Sequence, residues 1–217
     1  MKNLVIFSVL ITLIFSCNSK GGLKTKEINL PKNPADSFVK DIPKWIQESE
    51  IYQLRNANLL EKLGLSSLQD GFDGTQIRIW IEHDLPDTQQ GIIFTEHNSK
   101  WEGEFYYFKV HNDSKGELKS VDKRVERKNP KSGWKIFIDS LMATDIEKLP
   151  DHALIPGYRL VTDPLTITVE IATPKLYRFY QYPALQANVD KFPDAGKLEK
   201  ALQLIEKEFD FRRLDNE

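Results

Sequence analysis

Apolar residues recur along this chain of 217 residues with several different periods. From Leu4 to Phe15 they are nearly continuous, broken only by Ser8 and Thr12. From Asn18 to about residue 36 they are scattered among Gly, Pro, Asn, Ser and Lys. Phe38, Ile42, Trp45 and Ile46 then return at helix-like spacing and predict a short helix starting near Asp41, with Pro43 in its first turn. Ile51, Leu54, Leu60 and Leu63 predict a second helix, closed by Gly64 at the C′ position where a left-handed residue ends many helices.

From Gly71 the period changes to two. Residues 76–82 put Ile77, Ile79 and Ile81 on one face and Arg78, Trp80 and Glu82 on the other, the pattern of a half-buried strand. Residues 91–97 and 101–111 follow after turn-rich breaks, so the three segments read as an antiparallel meander. Residues 119–128 form a fourth strand so charged that it belongs at an edge. Asn129-Pro130-Lys131-Ser132 then breaks the sheet and offers Ser132 as N-cap of a helix with the apolar stripe Trp134, Ile138, Leu141 and Met142. Strands at 165–172 and 176–182 make a hairpin around Thr173-Pro174-Lys175. A last helix, with Asp194 as N-cap, carries Leu198, Ala201, Leu202, Ile205 and Phe209 along one side. Strands grouped with strands predict an α+β domain over residues 37–217: an antiparallel sheet, meander plus C-terminal hairpin, with packed helices that include the C-terminal amphipathic one.

The apolar run behind Lys2 is shorter than the roughly 20 residues a spanning helix needs, and fits the core of a secretory signal peptide over residues 1–16. Its end, Leu13-Ile14-Phe15-Ser16-Cys17, resembles the lipobox of bacterial lipoproteins. That resemblance implies cleavage after Ser16 and acylation of Cys17, palmitate among the acyl chains. Independently, Cys17 is the chain's one cysteine, so no intramolecular disulfide can form even in an oxidising envelope compartment. Several acyl chains hold a protein on a membrane stably. Residues 17–36 then read as the lipidated cysteine and a flexible tether. Asn18 stands where the resemblance would have Asp signal inner-membrane retention, which favours the outer membrane of the cell envelope.

Loss of Lys2 with the signal leaves 29 cationic side chains against 32 anionic ones. That balance argues against nucleic acid as a partner, because displacing counterions from phosphates needs cationic excess. The block from Trp134 to Phe209 also resembles a group of uncharacterised bacterial proteins. Its Trp134-led helix, the loop Leu149-Pro150-Asp151, the strand Tyr177-Arg178-Phe179-Tyr180 and the terminal helix carry the likeness, which implies a fold and no activity.

Candidate chemistry is sparse. His83, His97 and His111 are evenly spaced, but a meander sends His97 to the opposite end of the sheet from the other two, so no metal site is predicted. The sequence holds no G-x-S-x-G elbow, no H-E-x-x-H and no Gly-rich phosphate loop, and Gly71-Phe72-Asp73-Gly74 reads as a turn into a strand. No cofactor is implied. Glu102 and Glu104 share one strand face and read as solvated. The run Lys119, Lys123, Arg124, Arg127, Lys128 and Lys131 is interrupted by Asp122 and Glu126 and reads as edge protection. The remaining candidate is aromatic: Arg178, Tyr180 and Tyr182 share a strand face and, with Trp80, would form an amphipathic binding patch if that face were open. The sequence therefore predicts a lipid-anchored, non-enzymatic binding or accessory module for an envelope protein partner, with a glycan or small ligand as the alternative and an envelope hydrolase third.

Overall fold

The computed structural model describes residues 37–49, 58–82, 88–162 and 164–213. The signal segment, Cys17, the tether, Ile51, Leu54, His83 and Asp84 lie outside the described residues. Strand β1 is Val39–Asp41, helix α1 Lys44–Gln47 and helix α2 Leu60–Leu63. The long strands follow as β2 (Thr75–Glu82), β3 (Gln89–His97), β4 (Lys100–Asn112) and β5 (Leu118–Lys128). Helix α3 is Trp134–Met142, β6 is Thr166–Thr173, β7 is Leu176–Pro183 and helix α4 is Pro193–Phe209. All described residues fall in one compact unit.

The strands form one sheet in the order β1-β7-β6-β2-β3-β4-β5. The meander β2-β3-β4-β5 and the hairpin β6-β7 are antiparallel, and they join through the antiparallel pair β2-β6. The charged strand β5 is at one edge, where its long cationic side chains reach water. The other edge corrects the sequence reading in two respects. The segment entering at Ser37 is a strand before it is a helix, and it pairs parallel to β7, with Val39 opposite Leu176 and Asp41 opposite Arg178. Three exposed residues carry no periodicity, so only the docking of the incoming chain, through Val39 N–H to the Lys175 carbonyl at 2.9 Å, makes them a strand. Pro43 precedes the helix it was predicted to start within.

The central strands are covered on both faces. Ile77, Ile79, Ile81, Ile92, Phe94, Phe105, Val169 and Ile171 face α3 and α4, which contribute Phe137, Leu141, Leu198, Leu202, Ile205 and Phe209. On the other face, Ile42, Ile46 and Leu68 pack on Tyr177 and Phe179, while Leu60 and Leu63 pack on Trp80, Ile93, Tyr106 and Phe108. The half-polar pattern of β2 is real, but its polar side lies under Ile42, Ile46, Leu60, Leu63 and Leu68.

Helix ends also differ from the predicted caps. Helix α4 begins with Phe192 as N-cap and Pro193 in the first position, so Asp194 lies in the first turn, where its charge faces the positive end of the helix dipole. Helix α3 is preceded at the N-cap by Gly133, with φ 84° and an extended ψ of 154°. Ser132 instead donates its amide to Glu208 Oε2 at 2.8 Å, tying the start of α3 to the end of α4. Gly64 ends α2 in the predicted left-handed conformation, φ 76°.

Each face carries a large aromatic ring laid over a glycine of a neighbouring strand. Trp80 lies over Gly91, its register partner, and Trp134 covers Gly103. A Cβ built on Gly91 would lie 2.6 Å from the Trp80 ring, a separation that forces the indole to move. Gly91→Ala is therefore expected to destabilise the fold by about 1–3 kcal/mol through overpacking. Thermal denaturation with Trp emission as the probe checks this; an unchanged midpoint would show that the indole is free to shift.

Candidate functional site

The four residues of the predicted patch do not share a surface. Arg178, Tyr180 and Tyr182 are on the helix-covered face, and Trp80 is on the opposite one. Tyr180 and Tyr182 are core residues: Tyr180 is 1% exposed and donates its hydroxyl to the Ile146 carbonyl at 2.6 Å, and burial drives its ionisation far upward. Arg178 is partly exposed. It binds the Leu149 carbonyl at 2.6 Å and lies 3.4 Å from Asp41 Oδ2, holding the loop after α3 and the edge strand β1 to β7. The period-two pattern assigned the faces correctly. It could not show that α4 lies across them.

Under the N-terminal roof is a buried polar network. Glu170, fully buried on β6, accepts hydrogen bonds from Trp80 Nε1 and the Tyr177 hydroxyl, each at 2.8 Å. Opposite it on β2 is Arg78, which donates to Gln76 Oε1 at 2.7 Å and to the Ser66 carbonyl at 2.9 Å. Burial pushes the Arg78 guanidinium below its ordinary value and the charge of Glu170 partly restores it. Glu170 was legible as a lone carboxylate within the apolar run 165–172, a signal the strand reading passed over.

A second network sits at the β7 edge. Asp151, in the loop between α3 and β6, accepts from Trp45 Nε1 at 3.1 Å, Ala153 N–H at 2.9 Å and Gln181 N–H at 2.9 Å. His152 Nδ1 lies 3.1 Å from the Gln181 carbonyl oxygen and 3.4 Å from Asp151 Oδ1. The His152 ring meets Trp45 edge-on at 5.1 Å and Tyr158 at 5.6 Å. Tyr158 donates its hydroxyl to the Pro183 carbonyl at 3.0 Å, and Asn188 bonds both the N–H and the carbonyl of Arg159. The loop over residues 151–159 is thus fastened to β7 and to the turn that follows it. A third cluster pins the chain after α4: Arg213 makes two 2.7 Å bonds to Glu199 and two to Glu206, at 2.7 and 3.4 Å, which together raise its own value above the ordinary one against the cost of burial.

Other candidates disperse. His97 packs on Phe72 at 4.8 Å, and His111 pairs with Asp122 at 2.7 Å at the far end of β4. No cluster of three metal-ligating side chains occurs among the described residues. Glu104 pairs with Arg127 at 3.0 Å and accepts from the Tyr106 hydroxyl, and Tyr106 rises to about 12, through burial first and Glu104 second. The basic run is largely paired: Arg124 and Lys128 with Glu126, Lys131 with Asp210, and Lys123 with the Leu63 carbonyl that ends α2. No helix of the described residues is long and apolar enough to cross a membrane.

No family model matches this chain, and neither a curated protein nor a solved structure is found similar to it.

The edge network has a pH signature. Burial raises the Asp151 carboxyl, but hydrogen bonds from His152, Ala153 and Gln181 outweigh it and hold the group below the usual carboxylate range. A folded value below the unfolded one of about 3.9 means the stabilisation is complete above about pH 4 and is lost as pH falls through the folded value. Asp151→Asn is expected to cost about 1–3 kcal/mol at neutral pH, because its amide nitrogen cannot accept from the backbone amides. Urea midpoints at about pH 7 and about pH 3 check the sign: the gap between wild type and variant narrows in acid. A gap that widens in acid would show that Asp151 is not the stabilising ion.

Proposed function

We propose that this chain is a lipid-anchored protein of the cell envelope, placed at the outer membrane by acylation of Cys17, and that its domain works as a non-enzymatic binding or accessory module. The observation that carries the reading is Leu13-Ile14-Phe15-Ser16-Cys17 at the end of a short apolar run, in a chain with no other cysteine. Between Cys17 and Ser37 the sequence is polar and Pro-containing, the composition of a linker.

The covering of both sheet faces alters where binding takes place. A partner meets the edges and loops, and helix α1 and the loop after Asp151 present exposed Trp45 and Leu154. Envelope proteins are the favoured partners. Cys17→Ser is expected to abolish incorporation of a fatty-acid probe and to move the protein from the membrane fraction to the soluble one, with crosslinking to any envelope partner lost in parallel. Labelling that persists in the variant would overturn the anchoring reading.

A further inference from the structure

Where β5 parts from β4 the edge of the sheet opens into a cleft. The register of the two strands ends at Gly103 opposite Lys128, after which Asn129 and Pro130 turn the chain toward α3. Glu102, Gly103, Arg127, Lys128 and Asn129 line the resulting cavity of about 220 Å³. Trp134, the first residue of α3, stands at its rim: the indole N–H donates to Asn129 Oδ1 at 3.1 Å, and the ring covers Gly103. Trp101 extends that ring into a stacked pair with centroids 6.5 Å apart. Both tryptophans are half-buried, so each keeps ring surface in water.

The wall of the cleft is held before any ligand arrives. The turn after Asn129 is tied to the end of α4 through Lys131 N–H to the Glu208 carbonyl at 3.0 Å, Ser132 N–H to Glu208 Oε2 at 2.8 Å and the ion pair of Lys131 with Asp210. Such preorganisation lowers the ordering cost of binding.

The lining excludes most ligand classes. Both of its cations are already matched, Arg127 by Glu104 at 3.0 Å and Lys128 by Glu126 at 3.2 Å, and Glu102 adds a further negative charge, so the cleft does not select an anion. One lining carboxylate beside two cations does not hold a metal ion. No aliphatic or aromatic side chain lines the cavity, so an apolar ligand gains little there. An added peptide strand would find only Lys100–Glu102 of β4 without a β5 partner, too short a run for a ladder.

What remains is a neutral ligand dense in hydroxyl groups. Glu102 offers a carboxylate acceptor; Arg127, whose Nε bonds Glu104, offers its Nη groups; Asn129, whose Oδ1 is taken by Trp134, offers Nδ2. A planar guanidinium or carboxylate spans two neighbouring hydroxyls, and a tryptophan at the rim covers the C–H side of a sugar ring. The volume, below the roughly 300–1,000 Å³ of drug-sized sites, suits a single ring.

We infer that this cleft binds a neutral saccharide, one ring seated between Glu102, Arg127 and Asn129 and flanked by Trp134. The inference adds a site and a ligand class to the binding-module reading and is independent of acylation at Cys17.

The test titrates the full chain with methyl glucoside, methyl mannoside, methyl galactoside and N-acetylglucosamine, reading tryptophan emission and the heat of binding. At least one of them is expected to bind saturably in the millimolar range, as suits so small a ligand, and to shift the emission. Glu102→Gln is expected to weaken that binding about tenfold and Asn129→Ala about fivefold. Both side chains are exposed, and for Glu102→Gln the thermal midpoint is expected to stay unchanged; should Asn129→Ala disturb the fold, Glu102→Gln decides alone. Saccharide binding that Glu102→Gln leaves intact overturns the cleft as the site. So does failure of all four sugars to bind at tens of millimolar. Saturable binding of inorganic phosphate or of triglycine amide with the sugars inert overturns the ligand class and assigns the cleft to an anion or a peptide. Each of these failures leaves the anchoring reading, judged by acyl label, as it stands.

Discussion

Glu170 lies fully buried near the middle of a seven-stranded sheet, and a carboxyl group there is tolerated only with near-complete hydrogen bonding. Its two oxygens are taken by Trp80 and Tyr177, from the strands on either side of β6. With both rings held, Trp80 is laid flat over Gly91 of the next strand, and Arg78 is set directly across from the carboxylate. Arg78 in turn binds the Ser66 carbonyl and fixes the loop that follows α2. One buried side chain therefore ties together β2, β6 and β7. Losing one member of such a set leaves the others unpaired in a low-dielectric interior, which is why its cost is of the order of 3–5 kcal/mol in comparable networks.

The two faces of the sheet use different physics. The α3-α4 face is an apolar and aromatic core in which Phe94 stacks on Phe209 at 5.4 Å and meets Phe137 edge-on at 5.0 Å. Burial area and ring geometry account for its cohesion. The face under Ile42, Ile46, Leu60, Leu63 and Leu68 mixes apolar contacts with the Glu170 network, so its geometry is specified by directional bonds. Helices α1 and α2 are held by Ile46, Leu60 and Leu63 seated on the sheet.

The surface follows from this division. With both faces occupied, the outward options are edges and loops. The β5 edge is furnished with ion pairs that discourage strand addition. The opposite edge is shortened to the three residues of β1 and flanked by the loop fastened through Asp151. That loop is hydrogen-bonded to β7 on its underside and leaves Leu154, Leu160 and Val161 exposed.

The sequence alone determined each long strand and the two longer helices to within a few residues, because periods of two and 3.6 are local properties of the chain. It also determined which side chains share a strand face, the edge position of β5, and the lone cysteine behind an apolar run. What only the tertiary structure decided is what lies on top. The pattern of β2 is the same whether its Arg78 and Trp80 face water or a roof, and that of β7 is the same whether Tyr180 and Tyr182 are open or under α4. Burial depends on segments distant in the chain, and no local period encodes their arrival. The parallel pairing of β1 with β7 was equally hidden, since a three-residue strand has no pattern of its own and exists through the partner it finds.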